Sequence, residues 1–438
     1  MANRSYRSGP QFHGNMDMLA HTHSVRVAGR YPREAGWALG RDLHGVPRLF
    51  DHVMMRDRRL LTAPLLMFLG DFGSGKTTLG MRMLTHAFMM SVRGGQRARI
   101  AADSTKRSGN IPEWDPFVAE FGERTVDLAA DFKDGINILD KKLPLRPQDH
   151  LRNLSELMQD DGAALSPAAE HILRVGLHDE FKKEKPHVKS LNSFFSTVDI
   201  NLISTIVNEL ALLNEGVIPR LSEADIVNIG NELFFRLANL MNGKTGEVLG
   251  GHGSLADAMT RRVVSFDYTQ LDPDAIAPVQ SFIWRVKTAG IRYGDNDYFC
   301  DAELYDESYE SWDSMAFALG MRGRTKKLRG TGSLLIFISQ HISDYLAISG
   351  PQGLIAQNML RDVGAWAIAQ HETVHLPYII EYCGVSPHIA QMIPRLKPGQ
   401  FLMKIGSQQP FVFDYELTEM YRRMSDTDAA TRKNLERM

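Results

Sequence analysis

Only two cysteines, Cys300 and Cys383, occur in 438 residues, and they lie far apart. That excludes a disulfide scaffold and a cysteine-built zinc site, and it fits a reducing compartment, so a cytoplasmic location is expected. An excess of one charge is also missing. Fifty Lys and Arg face 52 Asp and Glu, a net charge of −2, so no global basic field marks a nucleic-acid binder and any DNA contact is a local patch. No apolar run approaches the ~20 residues of a membrane-crossing helix. The longest, Ala63–Leu69 and Ser333–Ser339, have the length of buried strands. The chain is not expected to be integral to a membrane; a membrane link would be peripheral, on the inner face of the plasma membrane or through a partner. Met1–Gly40 mixes Arg, His, Gly and Pro without an apolar h-region, so no signal peptide is expected. His21 and His23 have no further ligands nearby and read as a flexible basic tail, not a metal pair.

What is present is an ordinary globular balance, 43% hydrophobic and 23% charged, over a length that holds more than one core. Strands are expected at Leu60–Gly70, Ala98–Ala102, Arg124–Leu128, Arg262–Tyr268, Tyr298–Tyr305, Ser333–Ser339, Trp366–Gln370 and Gln400–Ile405. Helices are expected at Lys76–Val92, stopped by Gly94-Gly95, and at Ala275–Thr288 and Trp312–Thr325. Between them, Ser166-Pro167 and Ser222-Glu223-Ala224-Asp225 are helix starts, and Ile226, Ile229, Leu233, Leu237 and Leu240 keep a helical period. The pattern predicts an α/β protein with a mostly parallel sheet covered by helices on both faces and an all-helical insertion. The expected boundaries are a loosely ordered segment 1–40, a core in two parts at 41–143 and 246–417, the insertion at 144–245, and a polar tail at 418–438. Trp284, Trp312 and Trp366 read as core.

Gly70-Asp71-Phe72-Gly73-Ser74-Gly75-Lys76-Thr77 matches the Walker A pattern in full, between an apolar strand and an amphipathic helix. Glycines at 70, 73 and 75 let consecutive N–H groups face phosphates, and the helix adds its free N–H groups and positive dipole end. Lys76 is expected on the β- and γ-phosphates, the Thr77 hydroxyl on Mg2+, and Thr78 near the α-phosphate; the cofactors expected are ATP and Mg2+.

Such a site also needs an acid to anchor the metal and a group to activate water. Asp306-Glu307, closing a strand expected beside the P-loop strand, supplies both: Asp306 for the metal and Glu307 for the water. Asp301, inside the same unusually polar strand, is the rival metal acid. Gln340, ending the apolar strand Ser333–Ser339, suits a γ-phosphate sensor or a cap on the next turn. The basic run Arg322-Gly323-Arg324-Thr325-Lys326-Lys327-Leu328-Arg329 reads either as a solvated face or as a source of an arginine finger or a DNA contact. Arg322, Arg324 and Arg361 are the finger candidates.

In this order the pieces resemble the ATPases of conjugation and type IV secretion, the TraC-like branch of the FtsK–HerA superfamily, from about Gly40 to the tail. Gly40-Arg41-Asp42 and Phe50-Asp51 are similar to the segment before that family's P-loop strand. Ala101-Ala102-Asp103-Ser104-Thr105-Lys106 falls where the family has an aspartate turn. Gly135-Ile136-Asn137-Ile138-Leu139-Asp140 is similar to its Asn-Pro-Leu/Phe-Asp turn. Ser339-Gln340 resembles its Thr-Gln sensor, and Leu396-Lys397-Pro398-Gly399-Gln400-Phe401 its Leu-Lys-Pro-Gly-Glu turn. There are departures: Ser308 follows Glu307 where the family usually has Ala, the 103–106 turn lacks Pro-Lys-Gly-Glu, and there is no room for the N-terminal domain that docks such ATPases on the membrane complex. The resemblance implies a RecA-like hexameric motor that powers DNA or protein transfer through a membrane-embedded machine, reached here through a separate docking partner. A free-standing DNA translocase or packaging ATPase, and a nucleotide-gated scaffold with slow hydrolysis, remain the alternatives.

Overall fold

The computed structural model describes residues 37–93, 97–104, 106–108, 111–159, 164–196, 222–293, 298–326, 328, 333–415, 418, 419, 421 and 424. Residues 1–36 with His21 and His23, the Gly94-Gly95 stop, Lys327 and Arg329, and most of the 418–438 tail lie outside that set.

The strands are β1 (Trp37–Asp42), β2 (Pro47–Phe50), β3 (Leu65–Leu69), β4 (Arg97–Ser104), β5 (Arg107–Ser108), β6 (Ile111–Pro112), β7 (Val126–Asp127), β8 (Val263–Asp267), β9 (Tyr298–Tyr305), β10 (Leu334–Ser339), β11 (Ala365–Ile368), β12 (Gln400–Ile405) and β13 (Phe411–Asp414). Eleven of them form one sheet in the order β2-β1-β13-β12-β11-β3-β10-β9-β4-β8-β7, and β5 and β6 form a separate hairpin. From β11 to β7 every pairing is parallel; β12, β13, β1 and β2 add an antiparallel edge.

The longer helices are α1 (Lys76–Arg93), α2 (Pro147–Leu157), α3 (Pro167–Glu180), α4 (Val188–Ser196), α5 (Glu223–Asn242), α6 (Pro273–Tyr293), α7 (Met315–Thr325) and α8 (Gly350–Asp362). The central strands are uniformly apolar because both faces are covered, and the two-residue period still sorts their side chains. Leu66 and Phe68 of β3, with Ile336 and Ile338 of β10, join Leu79, Met83 and Leu84 of α1 in one core. Leu65, Met67, Leu335 and Phe337 face the other way, onto Trp284, Trp312, Phe317, Met359 and Trp366. Helices α2 to α5 share a third core with Val126, Val264 and Phe266 of the outer strands.

Local signals hold at several helix starts. Ser166 Oγ accepts from Ala169 N–H at 3.1 Å, and Ser222 with Asp225 forms a capping box opening α5. Other expectations are corrected. The P-loop strand begins at Leu65, not Leu60, directly after Pro64, which has no N–H to give a ladder. The expected Trp312–Thr325 helix is broken: Ser308–Asp313 is a 3-10 turn, and Ser314 caps α7. Trp37–Gly40, expected to be loosely ordered, pair as β1 with β2, and Arg41 continues the strand onto β13. Tyr421 and Met424 of the expected polar tail are buried in the core beside α1.

Candidate nucleotide site

Strand β3 delivers the chain to Gly70 at the C-terminal edge of the parallel strands. A Cβ at Gly70 would lie 2.6 Å from Ala369 Cβ, and Gly75 sits at φ +95°, so both positions demand glycine. Three neighbours hold the loop. Gly70 N–H donates to Gln340 O (3.3 Å), Asp71 N–H to Gln370 O (3.1 Å), and Gly399 N–H to Ser74 O (3.1 Å). The Leu396–Phe401 turn singled out in the sequence is thus a wall of the phosphate loop. Lys76 opens α1, and its ammonium donates to the carbonyls of Gly70 (2.6 Å) and Asp71 (3.0 Å). Burial pulls its pKa down, and Asp306 and Glu307 oppose that. Phe72 and Gly73 are exposed at the loop tip, Ser74 is buried, and Thr78 is half-buried at the third position of α1.

The strand ending at Asp306 is not adjacent to β3 as the sequence reading had it, because β10 lies between them. The site closes anyway, since α1 crosses over β10 and carries Thr77 toward β9. Thr77 Oγ1 donates to Asp306 Oδ2 at 3.0 Å. Asp306 is buried; burial raises its pKa, Lys106 works against this, and Glu307 adds to it. Asp301 lies midway along β9, about 13 Å of strand before Tyr305. Glu307 has φ +49°, and it and Arg59 are the non-glycine residues with positive φ among the described residues. Such strain persists where the surroundings enforce it. Here Lys106 Nζ lies 2.5 Å from Glu307 Oε1, and Gln340 Nε2 donates to the same oxygen at 3.2 Å. Lys76, Thr77, Asp306, Glu307 and Gln340, chosen from separate motifs, therefore meet.

Three residues were missed. Lys106 was noted only as part of a turn, and Glu113 carries no local signal at all. The β5–β6 hairpin brings both to the site, with Glu113 N–H donating to Lys106 O at 3.2 Å. Burial, then Asp306, pushes the Glu113 pKa up to about 8, with Lys106 opposing. His371 was also missed. Its ring bridges Ala369 O (Nδ1, 3.0 Å) and Gln340 O (Nε2, 2.9 Å), bracing the ends of β11 and β10 on either side of β3.

The arginine candidates separate. Arg324 is buried, paired with Glu303 at 2.8 Å and bonded to Thr288 Oγ1 at 3.1 Å, so it is not presented to a neighbouring subunit. That pair also explains the polar strand: Glu303 of β9 faces α7 and accepts from Tyr305 Oη (3.0 Å). Arg322 and Arg361 are exposed.

A divalent cation suits this donor set. Thr77 Oγ1 and Asp306 Oδ2, 3.0 Å apart, are hard oxygen ligands of the kind magnesium takes with only one or two protein groups, and Glu307 Oε2 is buried without a hydrogen-bond partner; among the described residues no group of three or more His, Cys, Asp or Glu is arranged to hold a metal. A parallel sheet with a glycine loop clamped at its carboxyl edge, and a hydroxyl–acid pair across from it, defines a RecA-like P-loop NTPase fold. No protein-family model and no curated protein matches the chain. Among solved structures it is similar to VirB4 of Thermoanaerobacter pseudethanolicus, with a TM-score of 0.61 and 18% identity over 88% of this chain and 98% of that one. It is also similar to the plasmid coupling protein TrwB in complex with ADP and Mg2+, with a TM-score of 0.53 and 13% identity over 94% and 95%. The unbound bacterial conjugative coupling protein TrwB gives 0.52 and 13% over 95% and 96%. What is shared at these identities is the fold.

Proposed function

We propose that this chain is the ATP-hydrolysing motor subunit of a conjugative or type IV secretion apparatus, acting as a hexameric ring. The observation that carries the ATPase reading is the contact of Thr77 with Asp306 at 3.0 Å, with Glu307 and Gln340 joined beside it. The transfer reading rests on the ordered motif resemblance together with the fold shared with VirB4 and TrwB across nearly the whole chain. No helix among the described residues is long and apolar enough to cross a membrane. That is compatible with a ring held at the inner face of the plasma membrane by a docking partner.

In this reading the loop amides and Lys76 grip the β- and γ-phosphates. Lys76 now bonds two loop carbonyls and exchanges them for phosphate oxygens. Thr77 and Asp306 would hold Mg2+, and the ion would supply positive charge against the phosphates. Glu307 takes a proton from the attacking water with its free Oε2, while Lys106 and Gln340 fix the other oxygen. Gln340, bonded to Glu307 and beside the loop, reports the γ-phosphate. Rate comes from positioning and electrostatics, because phosphoryl transfer asks for little covalent chemistry. The remaining transition-state charge is met by Arg361 or Arg322 of a neighbouring subunit.

The test is phosphate release with and without DNA. Magnesium-dependent ATP turnover lost in Lys76→Ala supports the site assignment, and turnover of Lys76→Ala at the wild-type rate contradicts it. Salt-sensitive stimulation by DNA selects a DNA-moving motor. Turnover far below one per minute under every condition selects the nucleotide-gated scaffold and overturns the motor.

A further inference from the structure

The ring of His371 faces two carbonyl groups at once. Its Nδ1 lies 3.0 Å from Ala369 O and its Nε2 2.9 Å from Gln340 O. Burial lowers its pKa, with the Ala369 and Gln340 carbonyls working against this, so the ring is neutral at neutral pH. A neutral imidazole has a single N–H. Only one of the two contacts is therefore a hydrogen bond at a time, and the tautomer decides which.

The two contacts differ in what they can do. Ala369 is two residues before His371 in the same segment, so a bond to its carbonyl fixes only the local turn. Gln340 is 31 residues away, just past β10, and a bond to its carbonyl ties that strand end to the end of β11 across β3. The same carbonyl accepts from Gly70 N–H at 3.3 Å, at the long end for such a bond. Without His371 the Gln340 peptide is loosely held, yet its side-chain Nε2 donates to Glu307 Oε1 at 3.2 Å. The imidazole is fixed where it can give that support. It is 1% exposed, and His341 and His375 wall it in. Their rings stack 3.9 Å apart and meet it edge-on at 5.7 and 6.0 Å.

We propose that His371 is a positioning residue for ATP cleavage: its Nε2–H donates to Gln340 O and, through Gln340, sets both the phosphate loop at Gly70 and the orientation of Glu307. The inference rests on the ATPase reading and adds to it a residue that touches neither the nucleotide nor the attacking water. Amide side chains separate the two bonds. Glutamine places an N–H near the position of Nε2, and asparagine near that of Nδ1. Both lose the ring and its packing on His341 and His375. A difference between them reports the bond, not the packing.

The experiment measures ATP binding and single-turnover cleavage by the full chain carrying His371→Gln or His371→Asn. His371→Asn should cleave ATP at least about tenfold more slowly than wild type, the result of misplaced catalytic groups. Its ATP affinity should change less than about threefold. His371→Gln should cleave within about threefold of wild type, at the same thermal midpoint as His371→Asn. In a Gln340→Ala chain, His371→Asn should slow cleavage no further, because the path to Glu307 is gone. Equal cleavage by the two variants overturns the inference, and so does an undiminished effect of His371→Asn in the Gln340→Ala chain. Should either variant fail to fold, the wild type still decides. Long-range proton–nitrogen NMR spectra of the chain labelled at histidine read the tautomer, with the signal assigned by its loss in any folded variant at this position. An Nε2–H ring supports the inference and an Nδ1–H ring overturns it. If Lys76→Ala cleaves ATP like wild type, the ATPase reading fails, and this inference with it. If cleavage depends on Lys76 but the two His371 variants match, only the inference falls.

Discussion

Lys106 Nζ lies 2.5 Å from Glu307 Oε1, an ion pair between the residue that precedes β5 and the second residue beyond β9. It joins a partly exposed lysine to a buried carboxylate, with side chains 41% and 7% exposed. Glu307 sits in a left-handed backbone conformation, and the pair with Lys106 and the bond from Gln340 orient it.

Removing that support should lower catalysis more than binding. Lys106→Ala is expected to reduce kcat about tenfold, less than the roughly 10²–10⁴-fold attributed to the positioned base itself, while KM changes less than about threefold. Lys106→Arg should recover part of the loss. Steady-state phosphate release measures both constants, and a tenfold rise in KM at constant kcat would place Lys106 on the substrate, not on Glu307.

The two kinds of arginine should fail differently. Arg324→Ala strips the partner from buried Glu303, a change that costs about 3–5 kcal/mol, and urea unfolding should show it. Arg361→Ala should leave the urea midpoint in place and nearly abolish turnover. Mixed with Lys76→Ala chains, it should regain activity, because a mixed interface joins an intact P-loop to an intact finger. No recovery on mixing, for Arg361→Ala or Arg322→Ala, would exclude a finger in trans.

Burial holds the His150 pKa down to about 4, despite the bond from its Nδ1 to Ile138 O at 2.9 Å. The ring is neutral when folded and takes a proton when unfolded, so its contribution is intact above about pH 6.5 and falls as the pH drops toward 4. At pH 5 the loss is about 2 kcal/mol relative to pH 7.5. The stability gap between wild type and His150→Gln in urea should shrink by about that amount between the two pH values. A gap that stays constant would mean that His150 titrates normally in the folded chain.

The phosphate loop was legible because its chemistry needs consecutive residues: strand, glycines, Lys76 and Thr77 are neighbours in sequence as in space. Asp306, Glu307 and Gln340 were legible because apolar strands of a parallel sheet end on one edge, where such groups collect. Lys106 and Glu113 were not, since a short hairpin with no hydrophobic pattern brings them in. Arg324 read as a free basic residue because its partner, Glu303, belongs to a different element and made that strand look merely polar. The antiparallel edge was missed in β1, β2 and β13. These strands are short, and Pro47 and Gly40 within them weaken the strand signal.

Glu307→Gln tests the central claim most directly, through ATP binding and single-turnover cleavage measured on the same protein. It should bind ATP within about threefold of wild type and cleave it at least about 100-fold more slowly, as expected when a positioned base is lost and its shape kept. Cleavage by Glu307→Gln at the wild-type rate would contradict the site as built here.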